Sequence, residues 1–114
     1  MQSQQACIDI YNHVMPPKYL EEMKRYSSDP GLAKRMMSLR LLWDIPARVE
    51  MLKKYPQVKQ ILSLAVPSPE MLVGPDLSPQ LARIANEGMF EMCQTWPEFF
   101  PSFAATLPMN NPEA

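Results

Sequence analysis

Cys7-Ile8-Asp9-Ile10-Tyr11-Asn12-His13-Val14-Met15-Pro16 is the stretch on which the reading of this chain turns. Side chains alternate across an extended segment, which places Asp9, Tyr11 and His13 on one face and Ile8, Ile10 and Asn12 on the other. A polar row at the end of an apolar strand is costly to bury unless it meets a ligand, a metal or a hydrogen-bonding partner. The row is therefore a candidate floor for an active site. Pro16-Pro17 stops the strand, because proline lacks a ladder donor and restricts the residue before it.

Outward from that strand the chain alternates helix and strand. Pro17 starts a short helix, Lys18 to Arg25, with Tyr19, Leu20 and Met23 on its apolar side. Ser27-Ser28-Asp29-Pro30-Gly31 reads as a loop by its turn chemistry, and Gly31 to Leu42 as a short helical insertion. Asp44 reads as an N-cap, with Pro46 in the first turn and Val49 and Leu52 on one face until Tyr55-Pro56. Val58 to Val66 reads as a strand, near-continuously apolar over Ile61-Leu62-Ser63-Leu64-Ala65-Val66, a pattern that suits a parallel strand covered on both faces. A Pro/Gly-rich loop follows. Ser78 is the expected N-cap of the next helix and Pro79 its first residue. Ala82, Ala85, Met89, Met92, Cys93 and Trp96 then recur at helical spacing. Phe99 to Leu107 reads as a third strand, and Asn111-Pro112-Glu113 as the cap and first turn of another helix. This βα series implies a parallel sheet with right-handed crossovers, and a chain that stops so soon after a helix begins is expected to be the N-terminal portion of something longer.

Composition sets the bounds. A chain of 114 residues is one domain, 1–114, and buries roughly 60–70% of its extended surface, enough for a small core. Thirteen Pro and ten Met are high and three Gly is low; methionine fills irregular gaps, and lineage bias explains the excess equally well. A net charge of −1 without a basic stripe gives nucleic acid no electrostatic footing. No apolar run approaches a membrane span, and residues 1–5 lack the pattern of a signal peptide. Cys7 and Cys93, both in elements expected to be buried, lack metal or disulfide spacing; free thiols in a reducing cytoplasm are expected.

The order of the pieces resembles the amidohydrolase-related (amidohydrolase 2) family typified by 2-amino-3-carboxymuconate-6-semialdehyde decarboxylase. The resemblance rests on Ile8-Asp9-Ile10-Tyr11-Asn12-His13 with Pro16 soon after, Trp43-Asp44 leading a helix with Arg48, and Gln60-Ile61-Leu62-Ser63 ending in Pro67. It continues through Leu81-Ala82-Arg83-Ile84-Ala85-Asn86-Glu87, Trp96-Pro97-Glu98-Phe99-Phe100 and Phe103-Ala104-Ala105-Thr106-Leu107-Pro108. Each motif is short, but they are colinear across nearly the whole chain. The resemblance implies an α/β fold, the N-terminal part (about three βα units) of a (β/α)8 TIM barrel of the metallo-dependent hydrolase type. Such a barrel takes ~250 residues, so the later metal-binding histidines and the acid-base histidine and aspartate would lie outside this sequence, and the chain alone is expected to be inactive. The implied activity is nonoxidative decarboxylation (a carboxy-lyase) or hydrolysis of a small carboxylated or cyclic substrate. The implied cofactor is a divalent metal, zinc first, and the implied assembly a homodimer.

In the family, two first-strand histidines at x and x+2 hold the metal. His13 matches the second and is the candidate metal ligand; a hydrogen-bonded histidine at a loop start is the plain alternative. Tyr11 stands where the first would be. A phenol keeps its proton to about pH 10 and ligates only once it is lost. The substitution leaves three outcomes: a weakened metal site, a metal-free site in which Tyr11 acts on substrate as a catalytic group, or a catalytically inactive scaffold or interaction module. Tyr11 as plain filler of barrel space is a further reading. Asp9 is a candidate to orient His13 from beneath, with a solvated or capping role as the alternative. Arg48 and Arg40 match a substrate carboxylate in shape, but Arg48, on a helix outside the barrel, is expected on an exposed face. Trp43 is expected to anchor packing, and Asn86 and Glu87 receive no catalytic role. A self-contained small helical domain is the remaining reading of the whole.

Overall fold

Three parallel strands in the order β1-β2-β3 carry the fold of the computed structural model, which describes residues 5–114. Residues 1–4, on which the signal-peptide expectation largely rests, lie outside the described residues. β1 (Cys7–Asp9) pairs with β2 (Val58–Leu62) from Cys7↔Val58 to Asp9↔Gln60. β2 pairs in turn with β3 (Ser102–Phe103) through Ile61↔Ser102 and Leu62↔Phe103. The chain is thus α/β with a parallel sheet, as its alternating pattern predicts.

Above β1 the register slips. Val14 bridges Leu64, so four residues lie between Asp9 and Val14 where only three lie between Gln60 and Leu64. The extra residue is a bulge within 10–13, and one inserted residue exchanges the faces of everything beyond it. The alternation read from the sequence is corrected accordingly. Asp9 is half-buried and Asn12 is buried toward the helices, while Ile8, Ile10, Tyr11 and His13 are all exposed on the open side. Asp9 does not share a face with Tyr11 and His13.

The helices begin where caps and prolines place them. α1 (Pro17–Tyr26) buries Tyr19, Leu20 and Met23. The helical insertion resolves into α2 (Pro30–Ser38), capped by Asp29 Oδ1 accepting from the Leu32 amide, and the single turn α3 (Arg40–Trp43). α4 (Ile45–Leu52) is capped by Asp44 Oδ1, which accepts from Ala47 N at 3.1 Å. After β2 come the short α5 (Pro69–Leu72) and the 18-residue α6 (Ser78–Thr95). Ser78 is not the cap of α6. The amides of Leu77 and Ser78 already bond to the Gly74 carbonyl, so the chain has turned before Ser78, which is fully buried at the first helical position.

α6 crosses the middle of the molecule. Its Met89 and Met92 meet Val14, Leu62, Ile45, Val49 and Phe100 against the sheet, and its Leu81 and Ala85 meet Met15, Tyr19 and Met23 of the α1 side. The expected third strand is short because Phe99 and Phe100 turn back on Trp96 and bury themselves in the core before β3 starts. Beyond β3, Asn86 of α6 holds both the N–H and the carbonyl of Thr106. Residues 109–113 form turns rather than a helix start: Asn111 spends its side-chain amide on the Pro75 carbonyl. Cys7 is exposed, contrary to expectation, and Cys93 is half-buried with its thiol pushed up by burial; both are free. No helix among the described residues is long and apolar enough to cross a membrane.

Two measurements test this packing. A Cβ at Gly88 would overlap Pro16 Cβ and lie 2.9 Å from its Cγ. Gly88→Ala, which in a free helix position gains up to ~1 kcal/mol, is therefore expected to destabilise by about 1–3 kcal/mol in urea unfolding; a net gain would show that α6 and Pro16 are not in contact. Asp44 also takes Arg40 Nε at 2.7 Å, and these bonds hold its carboxyl below the usual range. The stabilisation is present above the unfolded-state value near 4 and lost as pH falls through the depressed folded one. Asp44→Asn is expected to flatten the acid side of the Tm-against-pH curve; an unchanged curve contradicts the cap.

Candidate functional site

Asp44 starts α4, and one turn later Arg48 reaches inward from it to the upper end of the sheet, where it is only 5% exposed. All three nitrogens of its fork are engaged. Nε donates to Gln60 Oε1 at 3.0 Å, and Nη1 to the carbonyls of His13 and Leu41, each at 2.9 Å. Nη2 donates to Asn12 Oδ1 at 3.1 Å. This corrects the expectation of an exposed Arg48. The four acceptors are neutral, and burial pushes the guanidinium's pKa down, opposed by the charge of Asp9; an arginine keeps its proton regardless.

Asn12 completes the anchor from the other side. Its Nδ2 donates to the carbonyls of Asp9 at 2.9 Å and Ile61 at 2.8 Å, and its own carbonyl accepts from Ser63 Oγ at 2.6 Å. The bulge is thereby sewn to β2 with its side-chain amide satisfied, as a buried amide requires. Val14 N to Ser63 O and Ala65 N to Val14 O, both 2.9 Å, resume the ladder above it.

On the open side, just past the C-terminal ends of β1 and β2, the bulge presents Tyr11 and His13. Their rings meet edge to face, 5.1 Å between centroids at 72°. Tyr11 is 84% exposed, and its amide donates to Asp9 Oδ1 at 3.0 Å. His13 Nδ1 lies 2.8 Å from Ser63 Oγ. Asp9 thus takes its capping alternative and makes no hydrogen bond to the His13 ring; the group against that ring is Ser63. Sequence reasoning missed Ser63 although its position, just beyond an apolar strand that must neighbour the first, was a usable signal.

The other singled-out residues fall away from this cluster. Trp43 packs beside the α1 side of the core and donates Nε1 to the Met37 carbonyl. Arg40 is exposed and pairs with Asp44. Asn86 and Glu87 take no place near Tyr11 and His13; Glu87 borders a cavity of about 780 Å³ between the helices, lined also by Leu20, Trp43, Gly88 and Trp96. That cavity touches none of Tyr11, His13 and Ser63.

Among the described residues no three His, Cys, Asp or Glu side chains come together to hold a metal ion. Judged by donor chemistry, His13 fits one ligand position, an exposed imidazole with one ring nitrogen engaged by the protein. Tyr11 fits only as a phenolate. The described residues therefore supply a ligand and not a whole centre.

Two solved chains of 2,6-dihydroxybenzoate decarboxylase, one from Rhizobium and one complexed with 2,6-dihydroxybenzoate, are similar to this chain. Each superposes with a TM-score of 0.69 at 25% identity over 96% of this chain. This chain spans about a third of theirs, 32% and 33%. No family model and no curated protein matches it. The fold is that of the N-terminal part of a TIM-barrel decarboxylase, in which the ends of the strands that carry Tyr11, His13 and Ser63 belong to the face where barrel enzymes place their chemistry.

The anchor is testable by stability alone. Arg48→Lys replaces a four-bond fork with one point charge and leaves buried acceptors unpaired. A loss of about 2–4 kcal/mol is expected in urea unfolding; a change within 0.5 kcal/mol, usual for surface sites, would show the fork to be idle.

Proposed function

We propose that this chain supplies three staves, and with them part of the active-site rim, of a metal-dependent barrel enzyme of the amidohydrolase-related family. The activity proposed is that of a nonoxidative carboxy-lyase on a small aromatic or cyclic carboxylate. The observation that supports it is the superposition over nearly the whole chain on 2,6-dihydroxybenzoate decarboxylase, with Tyr11, His13 and Ser63 at the strand ends. Both structures named above are decarboxylases, which favours lyase over hydrolase. Decarboxylation breaks the bond between ring carbon and carboxyl carbon. The bonding pair stays on the ring carbon, which takes up a proton as CO₂ departs.

In this reading His13 would be one ligand of a divalent metal, zinc by its preference for neutral imidazole. A zinc ion supplies, when bound, Lewis-acid polarisation and an acidified water. Tyr11, beside it, offers a phenolic donor to the carboxylate or hydroxyl of a bound substrate. The bulge presents both side chains on the open side, and Arg48 and Asn12 fix the backbone that carries them.

A second reading, a catalytically inactive scaffold or interaction module, is favoured by one observation: the phenol of Tyr11 stands where the resemblance expects an imidazole. Zinc content and CO₂ release from 2,6-dihydroxybenzoate by the native polypeptide decide between them. The enzyme reading expects bound zinc that is lost in His13→Ala, together with CO₂ release. Neither zinc nor CO₂ in the native protein, with zinc affinity rising tenfold or more in Tyr11→His, supports the scaffold and overturns the enzyme.

A further inference from the structure

The Ser63 hydroxyl sits between two partners but owns a single proton. One partner, the Asn12 carbonyl at 2.6 Å, can only accept. Two oxygens that close, with no proton between them, would set lone pair against lone pair, so the Ser63 proton lies on that line. Toward the other partner, His13 Nδ1 at 2.8 Å, the same Oγ then has only lone pairs to offer. The hydrogen on that line therefore belongs to the imidazole. Among the described residues Nε2 has no hydrogen-bond partner, and the ring is exposed on the open side.

We propose that Ser63 is a positioning residue that holds His13 as the Nδ1–H tautomer and so presents an unprotonated Nε2 to the open face. This is the opposite of the tautomer a free histidine side chain prefers, which is why a fixed acceptor is needed. The inference rests on the reading of His13 as a group of the proposed site, and it gives that group a direction: Nε2 is the atom that meets a Lewis acid or a substrate proton. The chain of bonds that sets it runs from Arg48, through the Asn12 side chain and backbone carbonyl, to Ser63 and the ring. A backbone fixed at Asn12 gives Ser63 one acceptor for its proton and removes its choice of role.

His13 is the only histidine in the sequence, so its ring nitrogens can be read without assignment. Long-range proton–nitrogen correlation on the labelled 114-residue chain at about pH 9, where an ordinary imidazole is neutral, reports which nitrogen carries the hydrogen. The expected result is a protonated Nδ1 and a bare Nε2 in the parent, the reverse in Ser63→Ala, and the parent pattern restored in Ser63→Thr. Amide dispersion in the same samples verifies that the sheet is formed. A parent ring protonated on Nε2, or a folded Ser63→Ala variant that keeps the parent pattern, overturns the proposal. The readout is a tautomer and not turnover. A chain that binds no zinc and releases no CO₂ would end the functional reading while leaving this one standing.

Discussion

A single buried guanidinium organises the upper end of this sheet. Arg48 comes from α4, yet its four acceptors belong to the bulged segment after β1, to β2 and to α3. It therefore ties together segments separated by up to 36 residues of sequence. None of the acceptors is a carboxylate, so the arrangement does not gain from a contact ion pair. Its strength lies in the converse: once the fork is buried, the acceptors on Gln60 and Asn12 are buried with it, and without the guanidinium they lose a partner that water does not readily replace. Burial of Arg48 and the geometry of the bulge stand or fall together.

The bulge explains how one short strand serves two environments. Without the extra residue, the alternation of β1 would carry through and bring Tyr11 and His13 to the side of Asp9. With it, Asn12 turns in to meet Arg48, and the neighbouring Ile10, Tyr11 and His13 turn out. The polar group that is buried is an amide with three hydrogen bonds to satisfy it, and the groups left on the open side are those with chemistry to offer. Bulges beside active sites re-aim side chains in this way.

Much of the scaffold was legible in the sequence because its signals are local. Asp44 caps α4 as its position before Pro46 indicates, Pro17 and Pro79 stand in first turns, and the Ala82–Met92 stripe of α6 faces the core, whereas Asp29, read as loop, caps α2. The failures share a different cause. Whether Arg48 is buried, whether β1 carries an extra residue, and where Ser63 sits depend on pairing between residues roughly 12 to 51 positions apart, and strict period-2 alternation contains no term for an inserted residue. Phe99 and Phe100, read as strand by their apolar character, were claimed instead by the core. Ser78 failed as a cap because Gly74 had already turned the chain.

In the function proposed above, a tyrosine at position 11 in place of an imidazole would bear on the chemistry through hydrogen-bond polarity more than through size. An imidazole can present a lone pair while neutral; a neutral phenol presents a hydrogen. A rim carrying two imidazoles offers a cation two lone pairs from one strand. A rim with Tyr11 and His13 offers one lone pair and one donor, a combination suited to an anionic oxygen beside an electrophilic or proton-bearing partner. The hydroxybenzoate proposed as substrate would present such a pair of groups, a carboxylate next to a phenol. Tyr11 therefore need not subtract a function from this face. In the proposed enzyme it would move part of the work from holding a cation to holding the substrate, and the remaining imidazole would serve alone only as well as Ser63 kept its free nitrogen pointed outward.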